Sequence, residues 1–151
     1  LSLGLGAALP AAADRLPLPP DTPAAYRDEC GSCHLAYPPS LLSRADWQRI
    51  LTGLDRHFGG DARLAPSVQG EISRFLERHA GDQRRSGEAG QPPRLTQTAH
   101  FRHQHRAVPA RLWRDDRVRS AANCAACHRG AADGRYSEHD LALPELQERP
   151  R

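Results

Sequence analysis

The sequence predicts an all-α fold in which two small domains each form around a bound group. Its 151 residues are only 38% hydrophobic and 5% aromatic, which is little apolar surface for two independent cores. Several segments have apolar residues at helical spacing, and none shows the alternation of a convincing strand. The pattern Cys-x-x-Cys-His occurs once in each half, so both halves carry the same kind of site.

Residues 1–18 form an apolar amino-terminal segment that ends in small residues. Ala11 and Ala13 have the A-x-A arrangement that precedes signal-peptide cleavage. The apolar run, about 13 residues, is too short to span a bilayer. We expect a signal-peptide remnant that lacks its positively charged start. The mature chain is then expected to be exported, without stable insertion in the membrane.

Residues 19–81 are predicted to form the first domain. After the first motif, residues 43–60 have the spacing of one amphipathic helix, with Ser43 or Asp46 as its cap and Gly59 and Gly60 at its end. A second helix is expected from Pro66, a favourable first-turn residue, to Gly81. The apolar faces comprise Trp47, Ile50, Leu51, Leu54 and Phe58 on the first helix, and Val68, Ile72, Phe75, Leu76 and His79 on the second.

Residues 82–93 are rich in Gly, Pro and charge and are predicted to be a linker. The second domain, residues 94–151, begins with a short helix that Pro109 ends and whose face carries Phe101, His105 and Val108. A helix of small residues from Ser120 to Gly130 then bears the second motif. The remainder is expected to be irregular.

The two motifs contain all the cysteines of the chain: Cys30, Cys33, Cys124 and Cys127. In Cys-x-x-Cys-His, both thiols form thioethers with a haem, and the adjacent histidine, His34 or His128, ligates its iron. A zinc ribbon or a redox dithiol would account for the cysteines but not for the histidine after each pair. With eight histidines in 151 residues, chance supplies such a histidine about once in nineteen positions. The motifs therefore predict two covalently bound haem c groups.

Histidines are also the candidates for the second axial ligand of each iron. The usual alternative, methionine, is absent from the sequence, so we expect bis-histidine ligation and potentials below those of His/Met cytochromes. His57, on the apolar stripe of its helix, is the candidate for the first haem and His105 for the second. The alternatives are His79, His100, His103 and His139. We also expect a carbonyl of the Pro38-Pro39 segment to accept a hydrogen bond from His34.

The second half of the chain carries the excess positive charge. All 21 basic residues other than histidine are arginines; after Pro93 there are 11 arginines against 7 acidic residues. Seven of these arginines lie between positions 94 and 119. No aromatic-stacking or groove-reading motif accompanies them, so a nucleic-acid interface is not expected. A solvated surface that balances haem propionates or docks an acidic partner fits the pattern better.

Several phrases of the sequence resemble the small periplasmic dihaem cytochrome c family (DHC) of proteobacteria. They are CGSCHLAYPPSLL, GLDRHFGGDA, FRHQHRAVP and SAANCAACHRGAADGRYSE, within about Tyr26 to Pro144. The resemblance implies a first domain similar to class I cytochrome c and an irregular second haem domain. It also implies bis-histidine haems, with His34 and His57 on the first iron and His128 and His105 on the second. A small haem protein and a membrane cytochrome b are the implied redox partners.

The expected function is single-electron transfer by a monomeric periplasmic protein, not enzymatic catalysis. Iron with six ligands changes oxidation state without exchanging ligands and leaves no open position for a substrate. The alternative is a haem enzyme or a gas-binding sensor, which would require one labile distal ligand. Binding of carbon monoxide by the reduced protein distinguishes the two.

Overall fold

The computed structural model describes residues 15–139 and 141–143 of the chain. Within these residues the fold is mostly helical and contains no sheet, only isolated β-bridges. The α-helices are α1 (Ala24–Cys30), α2 (Arg44–Thr52), α3 (Pro66–His79), α4 (Gln83–Ser86) and α5 (Ala99–Gln104). Short 3-10 turns occupy Pro39–Leu41, Leu54–Arg56, Leu95–Gln97, Ala110–Arg114, Cys124–Ala126 and Ala131–Asp133. None of the helices in the described ranges is long and apolar enough to cross a membrane.

Helix α2 begins as predicted but ends earlier. The Ser43 hydroxyl accepts a hydrogen bond from the backbone N–H of Asp46 at 3.2 Å and caps the helix. The prediction of one helix through residue 60 is wrong, because α2 ends at Thr52 with Gly53 as its cap, and glycine is a poor helix former. A 3-10 turn follows, and Phe58 has φ +50°, outside the helical region. His57 therefore lies in a turn rather than on a helix.

Helix α3 begins at Pro66, as predicted, and ends at His79, two residues before Gly81. It packs against α1 and α2. Its buried residues Ile72, Phe75 and Leu76 are at most 1% exposed and form the centre of the larger core. The other buried members of this core are Tyr26, Tyr37, Leu42, Trp47, Leu51, Leu54 and Ala89.

The segment predicted as a linker is packed against the protein. Residues Gln83–Ser86 form α4, and Ala89 is fully buried in the larger core. Pro93 is buried as well. Composition indicated a linker because Gly, Pro and charge lack helical periodicity, but Ala89 is a buried member of the larger core and attaches the segment to it.

The second half contains a smaller core, formed by the buried residues Leu112, Val118 and Leu143. Helix α5 forms where predicted but ends at Gln104 rather than at Pro109, so His105 caps its end and Val108 lies beyond it. Thr98 caps its start by accepting a hydrogen bond from the N–H of Phe101 at 3.1 Å.

The prediction of a helix from Ser120 to Gly130 is wrong, since the 3-10 turn Cys124–Ala126 is the only helical element there. The Ser120 hydroxyl accepts from Ala122 N and the Asn123 amide donates to Val118 O, each at 3.1 Å. Such local bonds compete with helix formation.

Residues 15–18 are part of the packed structure, whereas residues 1–14, with the A-x-A arrangement, lie outside the described residues. The Leu16 N–H donates to Gly134 O at 2.8 Å. Leu16 and Leu18 also line a cavity of about 250 Å³ that borders His34. The part of the predicted signal-peptide remnant that is described therefore contributes a wall beside the first motif.

Gly134 is expected to tolerate no side chain, because its φ is +69° and an added Cβ would lie 2.4 Å from Pro17 Cα. Gly134→Ala should lower the free energy of unfolding by more than about 1 kcal/mol, measured by denaturant titration of the full chain. Gly70→Ala is the control, since this glycine lies within α3 and meets only the end of the Arg74 side chain. It should raise stability by about 0.5 kcal/mol. Equal losses in both variants would contradict the steric explanation.

Candidate functional site

The first Cys-x-x-Cys-His motif starts at the end of α1. Cys30 is the last residue of this helix, and Cys33 and His34 follow in the next loop. Gly31, which caps the helix, lies so close to the preceding turn that a Cβ there would be 2.2 Å from Arg27 O. Only glycine therefore allows the chain to leave α1 between the two cysteines.

The His34 ring is oriented by hydrogen bonding and stacking. Its Nδ1 lies 2.8 Å from Leu35 O, so Nδ1–H donates and Nε2 is left as the acceptor nitrogen. Tyr37 stacks on the ring with centroids 4.7 Å apart and planes 19° apart. Both features support Nε2 as the nitrogen that reaches iron.

The expectation that the Pro38-Pro39 segment accepts the His34 hydrogen bond is wrong. The Pro39 carbonyl accepts from Trp47 Nε1 at 2.7 Å, and the Pro38 carbonyl accepts from Leu41 N at 3.1 Å. Both carbonyls serve to attach the loop after the motif to α2 and to the turn Pro39–Leu41. The Leu35 carbonyl accepts the bond instead.

His57 faces His34 across the first site. The two ring centroids are 6.3 Å apart, and the ring planes are 30° apart. A tight turn holds His57, because its carbonyl accepts from Gly60 N at 3.0 Å while Gly59 has φ +98°. Phe58 packs edge-on against the His57 ring at 4.8 Å. The tertiary structure thus brings together the pair of histidines that the sequence predicted.

His105 and His128 face each other at the second site. Their ring centroids are 6.1 Å apart and their planes are perpendicular, at 90°. His105 lies at the carboxyl end of α5, and its Nδ1–H donates to Phe101 O at 2.9 Å. The turn that carries Cys124 places Cys127 and His128 directly after it.

Two aromatic side chains fix the orientation of His105. Phe101 stacks on its ring, with centroids 4.0 Å apart and planes 18° apart. Trp113, from the turn Ala110–Arg114, lies 6.0 Å from His105 and 6.2 Å from Phe101. The ring of His105 is therefore held between two elements and has little freedom to rotate.

The spacing of both histidine pairs fits a haem iron between them. A metal–imidazole bond of about 2.0 Å, with about 1.1 Å from the ligating nitrogen to the ring centre, separates two opposite imidazole centroids by about 6.2 Å. The observed 6.3 Å and 6.1 Å agree with this value. The residues present therefore fit two iron centres, each with a histidine on both sides.

The electrostatic environment of His57 and His105 favours the neutral imidazole, which is the form that binds metals. Burial lowers the pKa of His57, and the neighbouring His34 lowers it further. Burial is also the largest cause of the lowered pKa of His105. Burial raises the pKa of both the Cys30 and the Cys124 thiol to about 11.

The other histidines considered from the sequence lie outside both pairs. His79 is engaged with Asp21, whose carboxylate oxygens lie 2.8 Å and 3.0 Å from its Nε2. His103 and His139 are exposed, and His100 is on the same helix as Phe101, one residue before it. His139 lies in the turn that follows Tyr136. The pairing of His57 and His105 with the motif histidines distinguishes them from these four.

Two tyrosines that sequence reasoning missed as site residues lie against the motif histidines. Tyr37 stacks on His34, and its hydroxyl donates to Ala122 O at 2.8 Å, so it links the two sites. Tyr136 packs edge-on against His128 at 5.4 Å. A tyrosine three residues after the first motif and eight after the second was the available signal, but nothing in the sequence indicated what each would contact.

A zinc ribbon built from both cysteine pairs is not formed. Among the described residues, no group of three or more His, Cys, Asp or Glu side chains converges as a metal site of that kind requires. None of the four cysteines forms a disulfide. Each pair instead lies beside its own facing histidines.

Two Cys-x-x-Cys-His motifs, each with a second histidine opposite, in a fold that is mostly helical over the described residues, define a c-type cytochrome with two haem sites. Residues 26–136 match the family model described as dihaem cytochrome c. The chain belongs to this dihaem cytochrome c family, and it carries two covalently bound haem c groups.

Solved structures of this family are similar to the chain. The structure of a protein described as the new dihaem cytochrome type c from Shewanella baltica has 36% identity to this chain and a TM-score of 0.70. The match covers 80% of this chain and 92% of that one. DHC purified from Rhodobacter sphaeroides has 36% identity and a TM-score of 0.66, covering 76% and 97%. Another structure, a dihaem cytochrome c from Rhodobacter sphaeroides, has 35% identity and a TM-score of 0.68, covering 77% and 98%. No curated protein sequence matches the chain.

Tyr37→Phe is expected to weaken the attachment between the two sites, because it removes the hydrogen bond to Ala122 O and retains the stack on His34. The free energy of unfolding should fall by about 1 kcal/mol, measured by denaturant titration with circular dichroism. In the control, Tyr136→Phe, the lost contact to Ala131 O is 3.5 Å long and should matter less. A larger loss in the control would contradict this role of Tyr37.

Proposed function

We propose that the chain is a periplasmic electron carrier that passes single electrons between a donor and an acceptor protein through two bis-histidine haems. The observation that supports this proposal is the pairing of a second histidine with each motif histidine, at 6.3 Å and 6.1 Å between ring centroids. The family supports it, since a dihaem cytochrome c is typically an electron carrier.

The side chains around the haems have defined tasks in this proposal. Cys30, Cys33, Cys124 and Cys127 form the thioethers that hold the two groups covalently. His34 and His128 are the proximal ligands, and His57 and His105 are the distal ones. When bound, each haem supplies an iron that alternates between the ferric and ferrous states. Ligands held from both sides keep the geometry of that iron unchanged and leave no position for an exchangeable ligand.

The packing around each distal histidine supports firm ligation. Phe101 and Trp113 restrict the His105 ring, and the turn at Gly59 and Gly60 restricts His57. The lowered pKa values of both distal histidines favour their iron-binding form. These features argue against the alternative of a haem enzyme or gas sensor, which needs a distal ligand that dissociates readily.

The proposed partners are those implied by the family resemblance: a membrane cytochrome b as donor and a small haem protein as acceptor. We propose that the mature protein is a monomer that meets them transiently in the periplasm, with neither nucleic-acid binding nor stable membrane insertion. The thioether chemistry of the motifs and the signal-peptide-like composition of residues 1–13 support export.

Electron paramagnetic resonance of the ferric protein tests the proposed ligation. Nearly parallel imidazole planes separate the energies of two iron d orbitals, whereas perpendicular planes leave them nearly equal. The 30° pair should therefore give a rhombic low-spin signal, and the 90° pair a low-spin signal dominated by one large g value. A high-spin signal from either haem would contradict bis-histidine ligation, and hence the proposed function.

His105→Ala should open one haem, because it removes the only imidazole that faces His128 at 6.1 Å within the described residues. The reduced variant should bind one carbon monoxide per chain, whereas the unaltered protein should bind none, measured by optical titration. The ferric variant should also lose the large-g signal and keep the rhombic one. His100→Ala, on the same helix, is the matched control. Carbon monoxide binding by this control alone would assign the distal ligand to His100.

A further inference from the structure

The two elements that hold His105 also display a group of exposed arginines. Helix α5 and the turn after it carry Arg102 and Arg106, and the turn Ala110–Arg114 carries Arg111 and Arg114. We refer to these four residues as the arginine surface. Because α5 and the turn Ala110–Arg114 contact His105 through Phe101 and Trp113, the arginine surface belongs to the distal side of the second haem site.

The arginines lie on the outward sides of these elements. Residues three apart in a 3-10 turn lie on the same side, which applies to Arg111 and Arg114. Between them, Leu112 is buried at 3% exposure and Trp113 lies against His105. The Arg106 guanidinium donates to His103 O at 2.8 Å, which holds it along the end of α5. The apolar side of each element faces the haem ligand, and the guanidinium groups face outward.

The charge of the arginine surface is uncompensated within the described residues. None of its four members lies within 4.0 Å of a carboxylate there. The two acidic residues between positions 99 and 119 are Asp115, paired with Arg117 at 2.6 Å, and the exposed Asp116. Several arginines elsewhere among the described residues do pair with carboxylates: Arg49 with Asp46, Arg56 with Asp55 at 3.3 Å, Arg63 with Asp61 at 2.6 Å, Arg78 with Asp21 at 3.3 Å and Arg135 with Asp133 at 3.0 Å.

We infer that the arginine surface is the docking site for an acidic face of the redox partner, and that electrons enter or leave the chain through the second haem. This inference rests on the proposed electron-carrier function. Guanidinium groups suit such a contact because they are weakly hydrated and bind carboxylates through two parallel hydrogen bonds. A cluster of one sign steers an oppositely charged protein and raises its association rate. A partner docked here lies directly over the elements that position His105.

An acidic protein fits this surface better than a nucleic acid or a membrane. Base stacking would need exposed aromatic rings among the arginines, but Phe101 and Trp113 are turned towards His105. Membrane binding through a helix would need an apolar face beside the basic one, and α5 has six residues with its aromatic side already occupied. The arginine surface itself exposes four positive charges, which complement a carboxylate-rich surface.

The test compares charge-reversal variants in stopped-flow electron transfer from the fully reduced full-length holoprotein. The acceptors are a blue-copper protein with an acidic surface patch and a lysine-rich class I cytochrome c. The variants are Arg102→Glu/Arg106→Glu and Arg111→Glu/Arg114→Glu. The control, Arg44→Glu/Arg74→Glu, makes the same change in net charge at exposed positions of α2 and α3. Optical spectra and redox titrations of every variant check that both haems are retained.

At low ionic strength, each variant of the arginine surface should transfer electrons to the acidic acceptor about tenfold more slowly than the unaltered protein. The control should change by less than about twofold, and all differences should diminish at high salt. Transfer to the lysine-rich acceptor should not slow. An equal loss in the control would attribute the effect to net charge and overturn the docking site. A shifted potential of the second haem with unchanged rates would assign the arginines to its propionates and also overturn it.

Two further outcomes complete the test. In the first outcome, only the arginine-surface variants lose binding to anionic vesicles or to a single-stranded oligonucleotide, and their electron-transfer rates are unchanged. This result would overturn the choice of an acidic protein as the partner. If the unaltered protein is oxidised by ferricyanide but by neither protein acceptor, the electron-carrier function fails. Normal transfer that is insensitive to the arginine surface leaves that function intact and overturns the docking site alone.

Discussion

The spacing between the two facing histidine rings of each pair is the constraint on which both candidate sites depend. Centroid distances of 6.3 Å and 6.1 Å leave room for one metal ion and two nitrogen ligands, and for no further ligand along that axis. In each site, one histidine follows the cysteine pair and is placed by it. The other comes from a turn that is distant in the sequence. The fold must therefore place that turn to within a fraction of an ångström of the position that this spacing requires.

The two halves of the chain meet this constraint by different means. In the first half, a core of ten buried residues supports α2 and the turn that holds His57. In the second half, the core has three buried members among the described residues, and the position of His105 depends on stacking with Phe101 and on Trp113. A haem that is itself a large apolar group supplements so small a core. Tyr37 joins the halves through its bond to Ala122.

Ring orientation distinguishes the two facing histidine pairs. The first pair of rings is 30° from coplanar and the second is perpendicular, although both pairs consist of the same side chain. The charge beside the pairs differs as well, because within the described residues the four arginines of the arginine surface have no carboxylate partner, whereas Arg56, Arg63 and Arg78 each have one. The two candidate sites therefore differ both in ring geometry and in the charge of the neighbouring surface.

The sequence by itself determined the cofactor and its attachment, because Cys-x-x-Cys-His is a local motif whose chemistry needs no tertiary contact. The absence of methionine and the apolar setting of His57 and His105 also made them the leading distal candidates. The structure alone decided that α2 ends at Thr52, that the second motif begins in a short 3-10 turn rather than on a helix, and that Leu35 O orients His34. It also decided the ring angles and the role of Tyr37. These features arise from contacts between residues far apart in the chain or from local hydrogen bonds that replace those of a regular helix. The spacing of apolar residues in the sequence predicts neither kind of interaction.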